Sequence, residues 1–70
     1  MLADVKIDGQ KVRTARERAF LSKRELAQRA GLDRSTIGRI EEGVNEVYPR
    51  TIRKIAGALS TDPASLVPEE

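Results

Sequence analysis

The side chains of this chain that could do chemistry are mostly positively charged hydrogen-bond donors. Thirteen of the 70 residues are Lys or Arg, and there is no His and no Cys. Without these two residue types the chain lacks the commonest general base, the commonest metal ligand and any thiol nucleophile. We therefore expect a protein that donates hydrogen bonds to an anionic partner, with no enzyme activity, no metal and no cofactor.

The positive charge is concentrated in one half of the chain, although the net charge is only +2. Residues 6–39 contain ten Lys or Arg and four Asp or Glu, whereas residues 40–70 contain three and six. A basic region of this kind is typical of a surface that binds nucleic acid, but solvent-exposed helices often have a similar composition. One Tyr, one Phe and no Trp leave little surface for stacking on single-stranded bases.

Apolar residues recur at helical spacing along most of the chain, which predicts an all-α fold of five short helices around one core. The first helix is expected to begin near Gly9, capped by Asp8, and to end near Phe20. Ser22 and Glu25 have the spacing of a capping box, which predicts the start of a second helix. No apolar run is long enough to cross a membrane.

Glycines and a proline mark the next helix ends. Gly31 and Gly43 each stand where a helix would end and the backbone would turn through positive φ. They bound a third helix, which Asp33 is expected to cap. Pro49 fits the first turn of a fourth helix, where its missing N–H costs nothing.

The chain is predicted to divide into an arm, a domain and a tail. Alternating apolar residues favour an extended N-terminal arm over residues 1–8. The domain would span residues 9–67, with Asp62-Pro63 starting its short fifth helix. Residues 68–70 are expected to fray.

Residues 22–42 have the spacing of a helix-turn-helix, with the tight turn at Gly31. Ile37 and Ile40 would fix the third helix to the core and leave its first turn and outer face exposed. That exposed surface carries Arg34, Ser35, Gly38, Arg39 and Glu42. Arg donates two hydrogen bonds to guanine, and a glycine lets a helix lie close to base edges. Taken singly, each of these arginines could equally be an ordinary solvent-exposed side chain. It is the helix-turn-helix spacing that favours DNA binding.

A wider set of residues completes a recognisable pattern over positions 12–66. Its members are Arg16, Leu21-Ser22, Glu25-Leu26-Ala27, Ala30-Gly31, Ser35-Thr36-Ile37, Arg39-Ile40-Glu41, Gly43 and Ile55-Ala56-x-Ala58-Leu59. The pattern resembles the Cro and lambda-repressor type of helix-turn-helix domain, also called the Xre family. This resemblance implies a compact, lambda-repressor-like bundle that binds double-stranded DNA sequence-specifically as a transcriptional repressor or regulator. An antitoxin or another protein-interaction module with the same fold is the alternative.

The resemblance also implies roles for individual residues. The recognition helix would be residues 34–42, placed in the major groove. Base reading would fall to Arg34, Ser35, Gly38 and Arg39. Contacts to the DNA backbone would fall to Lys23, Thr36, Asn45 and Arg50. A structural ion pair would join Arg16 to Glu41.

Four positions depart from the family pattern, and one of them is Lys23, which stands where the family often has Gln. Phe20 and Ser60 stand where the family often has glycine, and Glu46 lies in a loop that is often rich in Lys or Arg. We expect Phe20 to pack into the core rather than to act as a wedge between bases. Glu46 would repel phosphate if its side chain faced the DNA.

The expected partner is double-stranded DNA, with no membrane and no small-molecule substrate. Relatives commonly bind two-fold symmetric operators as dimers, so a homodimer on DNA and a monomer in solution both remain open. The absence of cysteine permits a reducing compartment, and a DNA partner would place the chain in the cytoplasm at the nucleoid.

Overall fold

The computed structural model describes residues 4–69, so the first three positions of the predicted arm and the last position of the predicted tail lie outside the described residues. In chain order the elements are β1 (Val5–Lys6), α1 (Gly9–Arg18), α2 (Lys23–Ala30), α3 (Arg34–Glu42), β2 (Glu46–Val47), α4 (Pro49–Ala58) and a 3-10 helix (Pro63–Leu66). The molecule is mostly helical. No helix among the described residues is long and apolar enough to cross a membrane.

The prediction of five α-helices is wrong, because the last segment is a 3-10 helix of four residues. Asp62 caps it as expected, since its side chain accepts a hydrogen bond from the N–H of Ala64 at 2.9 Å. Val67, however, has an extended backbone with ψ of 152°. A residue that precedes a proline is held out of the helical region by contact with the proline ring, so Pro68 helps to end the segment after one turn.

The prediction of an all-α fold fits the mostly helical structure, with one addition, because β1 and β2 form a two-stranded antiparallel sheet. Val5 lies opposite Val47, and Lys6 lies opposite Glu46. Beyond the sheet, the N–H of Ile7 donates to the carbonyl of Asn45 at 2.9 Å. The side chain of Ile7 is buried in the core. Residues 5–7 of this segment are therefore docked on the domain through the sheet, a backbone hydrogen bond and the buried Ile7 side chain.

Local signals define the helix ends in α1 and α2 much as the sequence predicts. The Asp8 side chain accepts a hydrogen bond from the N–H of Gln10 at 2.9 Å. Ser22 and Glu25 form the reciprocal capping box, with hydrogen bonds of 2.8 and 3.0 Å. The hydrogen bond from the Ser22 backbone N–H to the Glu25 carboxylate, and after it the interaction with the Ser22 hydroxyl, lower the pKa of the Glu25 carboxyl. Asp33 precedes α3, but its side chain makes no capping hydrogen bond.

The core contains buried side chains from every helix and from the arm. Its largest fully buried side chains are Ile7, Val12, Leu26, Ile37, Ile40, Ile55 and Leu66. At the start of α1 the backbone comes so close to α3 that a Cβ added to Gly9 would collide with the Ile40 carbonyl. Only glycine fits there, so the angle between α1 and α3 depends on that position.

The expectation that Phe20 packs into the core is wrong. Its side chain is 93% exposed, and its backbone has a φ of 59°. Ser60 has a φ of 55°. Both residues directly follow the C-cap of a helix, where the chain turns through the left-handed region. This geometry explains why glycine suits both positions, and at Phe20 it leaves the ring in solvent.

Candidate nucleic-acid interface

Most of the predicted contact residues line one groove, here called the α2–α3 groove. It lies between the start of α2 and the outer face of α3. Its lining residues are Ser22, Lys23, Arg24, Arg34, Ser35, Gly38, Arg39 and Glu42. All four predicted base-reading residues and the predicted phosphate contact Lys23 are in this set. The buried Ile37 and Ile40 on the opposite side of α3 hold the helix in this orientation.

The α2–α3 groove is electropositive. Four of its lining side chains are cationic, those of Lys23, Arg24, Arg34 and Arg39, and one is acidic, that of Glu42. All five residues are exposed. None of the ion pairs found within residues 4–69 involves any of the four cations. The groove therefore presents donors that are free to bind an external anion.

The first turns of three helices carry cations where acidic residues would be more favourable. Lys23 begins α2, Arg34 begins α3, and Arg50 is the second residue of α4. The N-terminus of a helix is the positive end of its dipole, so cations there raise the local potential instead of offsetting it. The acid in the first turn of α2, Glu25, is held in the capping box. Helix ends with this arrangement favour an external anion such as phosphate.

A second groove, here called the α3–α4 groove, lies between Thr36 on α3 and the first turns of α4. Its lining residues are Asp4, Leu32, Thr36, Glu46, Val47, Tyr48, Arg50, Thr51 and Lys54. Thr36 and Arg50, both predicted to contact the DNA backbone, are therefore brought to one surface. The Arg50 guanidinium lies over the Tyr48 ring, 4.9 Å from its centroid, and this cation–π contact limits the positions of the charge.

Asn45 is the predicted contact that the structure does not bring into either groove. It lines a depression between the end of α3 and the start of α1, together with Glu41, Gly43 and Pro68, and this depression shares Glu42 with the α2–α3 groove. Its carbonyl is engaged by the N–H of Ile7. Nearby, Glu46 forms an exposed ion pair with Lys6, with Nζ and Oε2 separated by 3.0 Å.

The structure contains the ion pair between Arg16 and Glu41 that the family resemblance implies. Arg16 Nε lies 2.7 Å from Glu41 Oε2, and Nη2 lies 3.0 Å from Oε1. Arg16 Nη1 also donates to the Leu21 carbonyl at 2.8 Å. The hydrogen bonds to Glu41 raise the pKa of the mostly buried Arg16 guanidinium. One side chain thus ties α1 and the turn after it to the end of α3.

The two grooves also contain residues that have no role in the sequence-based assignment, and Arg24, Glu42 and Tyr48 are the most informative of them. Arg24 and Glu42 line the α2–α3 groove, and Tyr48 supports Arg50 in the α3–α4 groove. The position of Arg24 directly after Lys23, in the first turn of α2, is a signal that could have identified it. Tyr48 gives no local signal, because its contact with Arg50 depends on side-chain conformation.

Comparison with known proteins places this chain in a family. Residues 9–67 match the model of the helix-turn-helix domain. The chain belongs to the helix-turn-helix family. Among curated proteins, none matches the sequence.

Solved structures with a similar fold agree with this assignment. The restriction-modification controller protein C.AhdI from Aeromonas hydrophila is 40% identical, with a TM-score of 0.77 over 81% of this chain and 86% of that chain. The hypothetical transcription factor NHTF from Neisseria is 27% identical, with a TM-score of 0.73 over 97% and 88% of the two chains. Together with the family match, they support DNA-binding regulation of transcription as the function of this helix-turn-helix domain.

A third structural neighbour shows the fold alone. Hydroxyethylphosphonate dioxygenase is 23% identical, with a TM-score of 0.81, and the match covers 93% of this chain but only 14% of the dioxygenase chain. The similarity is thus to a small part of that enzyme, and we draw no catalytic inference from it.

Proposed function

We propose that this helix-turn-helix domain binds double-stranded DNA sequence-specifically, with α3 in the major groove, and that it represses or otherwise regulates transcription. The observation that carries the proposal is the α2–α3 groove, which is lined by Gly38 and by four cations that have no ion-pair partner among the described residues. The proposal assigns binding only and includes no chemical step.

The groove residues would fall into two groups, those that contact base edges and those that contact the DNA backbone. Arg34, Ser35 and Arg39 lie on the recognition helix and would donate hydrogen bonds to base edges. Lys23 lies at the start of α2 and would hold a phosphate beside the groove. Arg50 and Thr36, in the α3–α4 groove, would contact the backbone of the same duplex.

Regulation is proposed because the similar protein C.AhdI is a restriction-modification controller and NHTF is a hypothetical transcription factor. A homodimer on a two-fold operator belongs to the same proposal, since paired half-sites are the usual way in which helix-turn-helix proteins gain specificity. Sedimentation with and without a palindromic duplex would measure the number of chains bound. A single chain per duplex would contradict the dimer.

A pair of substitutions tests the division into base and backbone contacts. The duplex is first selected from a random pool, and binding is then followed by fluorescence anisotropy. Arg39→Ala should weaken binding by about 1–3 kcal/mol and relax the preference at one base pair. Lys23→Ala should weaken all duplexes alike and reduce the slope of log affinity against log salt by about 1.

Arg53→Ala is the matched control for loss of charge. Arg53 is exposed on α4 and lines neither groove. Its substitution should leave the preferred sequence unchanged and affect affinity least. If Arg39→Ala and Lys23→Ala both bind as the parent does, the proposed docking is wrong.

A further inference from the structure

Phe20 is the most exposed large hydrophobic residue among the described positions, and its conformation is unfavourable for its residue type. Its side chain is 93% exposed, and its φ of 59° lies in the left-handed region. A glycine would adopt this backbone without steric strain, and an exposed ring contributes nothing to the core. Folding of the domain therefore gives no reason for an aromatic ring at this position.

The turn that carries Phe20 is held firmly relative to the recognition helix. The N–H of Leu21, the next residue, donates to the Arg16 carbonyl at 3.1 Å, and the Leu21 carbonyl accepts from Arg16 Nη1 at 2.8 Å. Arg16 is in turn paired with Glu41 at the end of α3. The ring thus projects from a preorganised position beside the start of α2, which favours binding since little order must be gained.

The exposed charges next to the ring in the chain are positive. Arg18 precedes it, and Lys23 and Arg24 follow it within four residues. The acids nearby are already engaged, because Glu17 pairs with Arg13 at 3.2 Å and Glu25 is held by the capping box. The chain on either side of Phe20 therefore carries cations that are unpaired among the described residues and complementary to an anionic partner.

We propose that Phe20 is a DNA contact whose ring packs against a deoxyribose of the backbone, next to the phosphate held at the start of α2. This inference rests on the proposed DNA binding by the α2–α3 groove. The sugar offers an apolar C–H surface, while Lys23 and Arg24 neutralise the flanking phosphates. Because a sugar contact releases no counterion, the ring contributes affinity that does not depend on salt.

The chain itself provides a matched control for the backbone at this position. Ser60 is the other non-glycine residue with positive φ among residues 4–69, and it also follows the C-cap of a helix. Phe20→Gly and Ser60→Gly therefore relieve the same kind of strain, but only the first removes a ring. Phe20→Asn removes the ring with a residue that tolerates the left-handed region, and Phe20→Tyr retains it.

The experiment is an anisotropy titration of a selected duplex at several salt concentrations, with urea unfolding of each variant as the control for stability. Phe20→Gly and Phe20→Asn should bind about five- to tenfold more weakly with an unchanged salt slope, the effect of losing roughly 50 Å² of buried ring surface. Ser60→Gly and Phe20→Tyr should bind as the parent does. Neither glycine variant should unfold more easily than the parent.

Two results would overturn the inference and leave the proposed function standing. In the first, Phe20→Gly binds as tightly as Ser60→Gly while Lys23→Ala is weakened. In the second, Phe20→Gly dissociates a dimer in the absence of DNA, which would make the ring a contact between copies of the chain. If the parent itself selects no duplex, the proposed function fails, and the inference fails with it.

Discussion

At the scale of single residues, Gly38 is a position where the fold does not require a glycine but a DNA partner would. A Cβ added there would meet no other atom within 4 Å, and the residue lies inside a regular helix. Neither a turn nor close packing therefore requires glycine, although glycine in a helix is less stable than alanine by roughly 0.5–1 kcal/mol. Its place in the α2–α3 groove supplies a reason, since DNA would approach the helix closely at this point.

Gly38→Ala is accordingly expected to stabilise the domain and to weaken its binding to DNA. The free energy of unfolding in urea should rise by about 0.5–1 kcal/mol, while the added methyl group would occupy space that a base edge needs. Gly57→Ala is the matched control, because Gly57 is also inside a helix with open space around it but lines neither groove. It should give the same gain in stability with unchanged affinity. Equal affinities of the two variants would show that nothing approaches Gly38 closely.

The Glu25 carboxylate at the start of α2 should make the stability of the fold depend on pH. Hydrogen bonds from Ser22 lower the pKa of Glu25 in the folded state from its ordinary value near 4.5. The carboxylate therefore stabilises the fold above its unfolded pKa, and this contribution is lost as the pH falls through the lowered folded value. In urea unfolding, the advantage of the parent over Glu25→Ala should be largest at neutral pH and should shrink below about pH 4. An advantage that grows in acid would contradict the capping role.

At the scale of elements, the orientation of α3 depends on two contacts with α1. Gly9 allows the start of α1 to approach Ile40 on α3, and Arg16 binds Glu41 at the end of α3. The arm adds a third constraint, because Ile7 binds the loop after α3 through the Asn45 carbonyl. The surface that would contact DNA is thus positioned by residues that do not line it.

Arg16→Ala should be strongly destabilising, because it leaves the Glu41 carboxylate buried without its cation. Glu41 has only 3% of its side chain exposed. Loss of one partner of a buried pair typically costs about 3–5 kcal/mol, as measured by urea or thermal unfolding. Arg13→Ala is the control, because its pair with Glu17 is more than half exposed and should contribute less than about 0.5 kcal/mol. Similar losses for both variants would argue against a structural role specific to Arg16.

At the scale of the whole molecule, the arrangement of charge matters more than the net value of +2. Folding brings Lys23 and Arg24 from one helix and Arg34 and Arg39 from another into a single groove. Much of the acid lies elsewhere or is paired, as for Glu41 and Glu46. A long-range field from the net charge would be weak, but the local field of the groove is strongly positive.

The salt dependence of non-specific DNA binding should report this local charge. With four groove cations on phosphates, the slope of log affinity against log salt should be about −3 to −4 for a duplex of random sequence. Titrations between low and physiological salt would measure it. A slope near zero would mean that the groove does not bind the duplex backbone.

Local features of this domain could be predicted because their causes are local. The Asp8 cap, the capping box at Ser22 and the glycine turn at Gly31 are each determined by a few neighbouring residues that hydrogen-bond or relieve strain within one turn. The buried face of α3 followed from the spacing of Ile37 and Ile40. The composition of the recognition surface could be read in the same way, since a buried face defines its exposed opposite.

Other features depend on the tertiary structure and could not be predicted from neighbouring residues. The pairing of β1 with β2, the exposure of Phe20 and the separation of Asn45 from both grooves depend on contacts between residues far apart in sequence, or on the direction of a turn. The four α-helices, the helix-turn-helix spacing and the residue types that could meet DNA follow from the order of the amino acids, because hydrogen bonding and apolar periodicity act over single turns. Which of those residues share one surface follows only from the folded chain, because it depends on the angles at which the helices pack.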